Sequence, residues 1–128
     1  MSILKSIFSL FPPAGSGMRR IGAVEAAHLV GEGKAVLVDV REPAEWESGV
    51  AKSAQLLPFS DLTGRRRRWA PFLKRVGERE IILYCHSGSR CSLVGRMLAR
   101  EGFKAASMGS FRAWAGADLP VTRPETAR

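Results

Sequence analysis

Little in this chain would staple, clamp or anchor it. Only two cysteines occur among the 128 residues, Cys85 and Cys91, too few for a disulfide framework. They also lie too close in sequence to close a useful loop. The two histidines, His28 and His86, stand far apart, and no ligand set with metal spacing accompanies either. Neither a metal nor a cofactor is therefore expected. No apolar run approaches the ~20 residues that span a bilayer, and no internal repeat is present. What remains is an ordinary composition, 45% hydrophobic and 25% charged, in a length that suits one domain with a single core. A reducing cytoplasm is the expected compartment.

Acidic residues are also short, 12 against 20 basic ones, leaving a net charge of +8. Such an excess brings nucleic acid, membrane surfaces and anionic substrates into consideration. The only dense basic run is Arg65, Arg66, Arg67 and Arg68, with Trp69 the single aromatic beside it. Without a known module or interleaved aromatics, no nucleic-acid partner is expected. The run reads as a solvated helix start or loop next to Trp69 and Phe72, which anchor it to the core. A second reading is that it steers small anions toward a site.

Residues 1–17 carry Ile3, Leu4, Ile7, Phe8, Leu10 and Phe11 at helical spacing and then meet Pro12 and Pro13. This pattern suits a short amphipathic turn docking on the domain, on a partner or on a membrane surface, followed by a linker. It lacks the longer apolar core and small-x-small cleavage site of a signal peptide. The division expected is therefore residues 1–17 as a segment and 18–128 as a domain.

Within that domain, Ala23 to Val30 reads as a helix offering Val24, Ala27 and Leu29 to the core, ended by Gly31 and Gly33. Ala35 to Asp39 is an apolar run of strand length, as in a parallel strand covered on both faces. Pro43 opens a short helix through Trp46, and Ala54 to Leu57 is another short strand. Residues 61–76 read as mainly helical. A strand ending at Cys85 leads to a helix from about Arg90 to Glu101, with Leu93, Val94, Met97 and Leu98 along one face. Lys104 to Met108 forms a last strand. Strands alternating with helices imply a mostly parallel open sheet. Ligands bind beyond the carboxyl ends of such strands, and Asp39 and Cys85 both fall there.

The chemistry concentrates between Ile81 and Gly95. Ile81, Ile82, Leu83 and Tyr84 stop at Cys85, and small or polar residues follow before a helical pattern begins. A cysteine at a strand end, facing a loop that opens a helix, meets backbone N–H groups and the positive end of the helix dipole. Both favour the thiolate, and can lower a cysteine pKa from about 8.5 to roughly 3.5–7.5. A core-closing cysteine would need no loop of Ser87, Gly88, Ser89 and Arg90. Cys85 is the candidate nucleophile.

The spacing Cys85-x-x-Gly88-x-Arg90 resembles the active-site loop of the rhodanese family. Asp39-Val40-Arg41-Glu42-Pro43 followed by Glu45-Trp46 resembles that family's Asp-x-Arg and its short acidic and aromatic helix. Gly109 to Trp114, then Leu119-Pro120-Val121, is similar to its closing segment. Two departures stand out: Val50-Ala51-Lys52-Ser53 where the family usually has His-Ile-Pro-Gly, and Ser110 in place of a second glycine. The resemblance implies an α/β fold, an open, mostly parallel five-stranded sheet with helices on both faces.

It also implies a thiosulfate sulfurtransferase-like enzyme that holds a persulfide on Cys85. Its donor would be a small anion, thiosulfate or a persulfide, and its acceptor a thiol, cyanide or a partner protein. His86, Ser87, Gly88, Ser89 and Arg90 would bind the substrate. A six-residue loop from Cys85 to Arg90 disfavours the related phosphatases, whose loop is one residue longer. Several alternatives stay open. Arg90 grips the anionic donor or ties the loop to its helix. Asp39 and Arg41 contact substrate or form a structural ion pair holding the rim. His86 contributes its backbone N–H and a partly exposed side chain. Cys91 resolves Cys85 as a disulfide in a redox relay or is buried in the core. The protein turns over small substrates, or acts as a persulfide carrier for a partner.

Overall fold

The computed structural model describes residues 18–124, so the expectations for residues 1–17 fall outside the described residues. In chain order the elements are β1 (Arg19–Arg20), α1 (Ala23–Gly31), β2 (Ala35–Asp39), α2 (Pro43–Trp46), β3 (Val50–Ala51) and β4 (Gln55–Leu56). There follow α3 (Phe59–Leu62), α4 (Trp69–Val76), β5 (Glu80–Cys85), α5 (Ser89–Arg100), β6 (Ala105–Ser110), α6 (Phe111–Gly116) and β7 (Val121–Thr122). Five strands form one sheet in the order β1-β6-β5-β2-β4, with every pairing parallel. β3 and β7 pair separately as an antiparallel ribbon.

The apolar runs of β2 and β5 become central strands because successive side chains alternate between two covered faces. Ile81, Leu83 and Cys85 point to one face, where they join Val38, Trp69, Phe72, Val94 and Leu98 of β2, α4 and α5. Ile82 and Tyr84 point to the other, with Leu37, Ala26 of α1 and Trp114 of α6. All five residues from Ile81 to Cys85 are fully buried. Each large aliphatic side chain among them contributes roughly 1.5–3 kcal/mol.

Some boundaries and faces differ from those read in the sequence. Residues 61–76 do not form one helix: α3 ends at Leu62 and α4 starts at Trp69. The arginine run bridges the gap, with Arg66 at φ 56. The Asp61 carboxylate causes the break by accepting from the N–H groups of Arg67, Arg68 and Trp69 at 2.8, 2.9 and 3.0 Å. Arg66 forms a bidentate pair with Glu101 at 2.8 and 2.9 Å. Val24 is 57% exposed, because α1 turns Ala23 and Ala26 inward instead. Leu93 is 49% exposed, because the buried stripe of α5 runs through Cys91, Val94 and Leu98 and leaves Leu93 on the opposite side. The last strand extends to Ser110 through a register shift opposite Leu83 and Tyr84.

Candidate active site

Cys85 ends β5 with its side chain on the α5 side of the sheet. The chain then turns through His86 and Ser87 to Gly88, which has φ 103 and takes the N-cap position of α5. That left-handed conformation suits glycine, since any side chain there is strained. It turns the Gly88 N–H onto the Cys85 sulfur, 2.9 Å away. Among the described residues no side chain caps the start of α5, so N–H groups of its first turn are left to meet another acceptor. Those of Arg90 and Cys91 turn to the same sulfur.

The Cys91 S–H donates to the Cys85 sulfur and is the largest influence on it. Together with the backbone N–H groups of Cys91, Gly88 and Arg90 it outweighs the cost of burial. The Cys85 pKa falls to about 5. Cys91 moves the opposite way, its thiol raised by its bond to Cys85 and then by burial. Both cysteines are buried and free, and Cys91 Sγ also lies 3.8 Å from the Gly109 carbonyl oxygen. That carbonyl belongs to the residue brought opposite Tyr84 by the β6 register shift, a bulge beside the loop.

Arg90 does not stand free over the thiol. Its guanidinium makes a bidentate pair with Glu45 of α2 at 2.7 and 2.9 Å. The bond from Arg90 is what chiefly holds the Glu45 carboxyl down to about 2. Glu45 also accepts from the Glu42 N–H at 2.9 Å in a capping box, and Glu42 in turn holds the Ser60 hydroxyl at 2.6 Å. These two glutamates lay unassigned in the sequence. The signal for them was present as Glu-Pro-x-Glu, the pattern of a short helix that caps itself.

Asp39 and Arg41 sit at the end of β2, both buried, in a pair at 2.8 Å. Arg41 donates further to Asp39 Oδ1 at 3.0 Å and to the Gly49 carbonyl at 2.7 Å. Its guanidinium lies 4.7 Å from the Phe111 ring centre and 5.7 Å from that of Tyr84. Asp39 pairs in register with Tyr84, on the opposite face from Cys85. The two halves of the rim share an edge of the sheet but not a face. Burial opposes the Arg41 charge, yet the bond to Asp39 carries its pKa upward.

An open cleft of about 590 Å³ lies beside the loop, lined by Arg41, Ser48, His86, Ser87, Ser110, Phe111, Arg112 and Ala115. The thiol is not on its wall, whereas the loop neighbours His86 and Ser87 are. His86 and Ser89 are exposed, and the Ser87 and Ser89 hydroxyls lie 3.4 Å apart. Arg112 and Ser110 are lining residues missed in the sequence, where they sat between the glycine and the tryptophan of one motif. Among the described residues no group of three His, Cys, Asp or Glu side chains could hold a metal ion.

A parallel five-stranded α/β sheet with a cysteine loop between its central strand and the next helix defines the class. The model of the rhodanese-like domain matches residues 23–117, and the chain belongs to that family. A protein named sulfurtransferase, from Allochromatium vinosum, is 30% identical over 92 residues, covering 70% of this chain and 80% of that protein. A tRNA uridine(34) hydroxylase of Hamiltonella defensa is 31% identical over 94 residues, 73% of this chain. The match spans only 26% of the hydroxylase. The crystal structure of a rhodanese-related protein from Thermoplasma volcanium superposes with a TM-score of 0.68 at 24% identity, covering 83% of this chain and 99% of that one. That likeness shows the fold. No helix among the described residues is long and apolar enough to cross a membrane.

Proposed function

We propose that this protein transfers a sulfane sulfur through a persulfide on Cys85. The observation that carries this reading is the 2.9 Å contact from the Gly88 N–H to the sulfur, at the uncapped start of α5. Thiol chemistry needs the thiolate, and at a pKa of about 5 the group is ionised at neutral pH. The thiolate attacks the outer sulfur of thiosulfate or a persulfide donor. The donor's S–S bond breaks, and sulfite (or a thiolate) leaves with the electron pair. An acceptor thiolate or cyanide then attacks the outer sulfur, breaks the new S–S bond and regenerates the Cys85 thiolate. This is a two-step covalent transfer. The N–H groups that met the thiolate would meet the persulfide charge in turn.

In this reading Arg90 ties the loop to α2, and the Asp39–Arg41 pair braces the rim without touching the donor. The relative from Allochromatium vinosum, named for this activity, supports the reaction class. Intact-mass measurement after incubation with thiosulfate tests it. Wild type is expected to gain the mass of one sulfur atom and Cys85→Ser to gain none. An unmodified wild type or a modified variant would overturn it.

A second reading is favoured by the complete burial of Cys85. A persulfide shielded from solvent suits a carrier that hands sulfur to a protein partner. Rapid turnover with thiosulfate and cyanide would speak for the enzyme. A long-lived persulfide discharged only by a partner would speak for the carrier.

A further inference from the structure

Sulfur transfer from thiosulfate brings a dianion to a thiolate, and like charges repel unless a cation lies on the approach. Two arginines that the motifs would nominate are already committed. Arg90 is paired through both terminal guanidinium nitrogens with Glu45. Arg41 is buried and bound to Asp39 and the Gly49 carbonyl. The third arginine of the neighbourhood is different. Arg112 is exposed on the wall of the cleft that His86 and Ser87 also line. No carboxylate among the described residues lies within ion-pair distance of it.

Its backbone is nonetheless firmly placed. The Ser110 hydroxyl accepts from the Ala113 N–H at 3.2 Å and so caps α6. The ring of the preceding residue, Phe111, lies against the Arg41 guanidinium. Among the described residues the cleft therefore carries one uncompensated guanidinium, on a helix with a capped start, next to the loop that holds Cys85. Apolar contact from Phe111 and hydroxyls from Ser48, Ser87 and Ser110 complete its lining.

We propose that Arg112 is the residue that recruits the anionic sulfur donor, holding its sulfonate-like end in the cleft beside His86 and Ser87 of the loop that carries Cys85. This rests on the sulfur-transfer reading above, and names the group that selects a charged donor over a neutral one. Two measurements on Arg112→Gln and Arg112→Lys test it. The first is alkylation of Cys85 by anionic iodoacetate relative to neutral iodoacetamide, which needs no sulfur transfer. For Arg112→Gln that ratio is expected to fall roughly tenfold, by a drop in the iodoacetate rate alone. Arg112→Lys is expected to restore most of it. The second is steady-state transfer, in which Arg112→Gln raises KM for thiosulfate by a similar factor and leaves kcat in place.

An unchanged ratio would overturn the assignment. So would an equal loss with both reagents, which signals a disturbed loop. If wild type forms no persulfide but the ratio still falls, Arg112 stands as an anion-recruiting residue and the sulfur-transfer reading fails.

Discussion

The two sides of the sheet edge hold negative charge in different ways. On the α1 and α6 side, the Asp39 carboxylate is locked by a full opposite charge from Arg41, with both groups buried. On the α5 side, the Cys85 sulfur is met by neutral dipoles, the S–H of Cys91 and three backbone N–H groups. An ion pair of the first kind is rigid and hard to dismantle. N–H groups of the second kind stabilise charge without neutralising it, so the sulfur keeps its negative charge in surroundings that are already in place. One side neutralises its charge and the other only solvates it.

Replacing Cys85 tests the contrast hardest. Cys85→Ser is expected to abolish persulfide formation while thermal unfolding stays near wild type, and Cys91 is expected to take no sulfur in its stead. A persulfide on Cys91 would break the distinction. On the other side, Asp39→Ala leaves Arg41 buried and unpaired, and should cost about 3–5 kcal/mol in chemical denaturation. In the molecules still folded, alkylation of Cys85 should keep its pH dependence; a displaced midpoint would show the sides to be coupled.

Gly88→Ala forces a side chain into φ 103 and is expected to destabilise by about 1–3 kcal/mol in urea unfolding. Because it also turns the N–H from the sulfur, the Cys85 midpoint should rise. The effect of Cys91→Ala is read on the Cys85 midpoint. In wild type the alkylation rate should climb as pH rises through about 5 and then level off, because the thiolate is the form that reacts. Losing the S–H donor should carry that midpoint upward by roughly one unit. Cys91→Ser is expected to return part of the shift.

Much of this was legible in the residues. The continuous apolar runs of β2 and β5 named central parallel strands, and Cys85 at a strand end before Gly88 located the loop. Helix faces were less legible where several apolar residues cluster. Val24 and Leu93 look like core residues in a list, but helical geometry admits only one stripe, and Ala26 and Val94 already occupy it. The break between Leu62 and Trp69 came from one side chain, Asp61, capturing three N–H groups that a continuous helix would have used. Which acid would neutralise Arg90 depends on the packing of α2 against α5, far apart in sequence. The same holds for Arg112, whose meaning appears only once β6 and α6 lie beside the loop.

The Asp61 carboxylate has one more consequence. Its pKa lies below the usual range, with burial opposing the shift and the N–H groups of Trp69, Arg68 and Arg67 prevailing. Its grip is therefore complete at neutral pH and is released as acid protonates it. Protonation weakens the acceptor that the Arg67, Arg68 and Trp69 N–H groups share, so acid is expected to loosen the turn between α3 and α4. Amide protection factors at Arg67, Arg68 and Trp69, corrected for the intrinsic pH dependence of exchange, are expected to fall on acidification before those in β5, and simultaneous loss at both places would show that the turn does not loosen on its own.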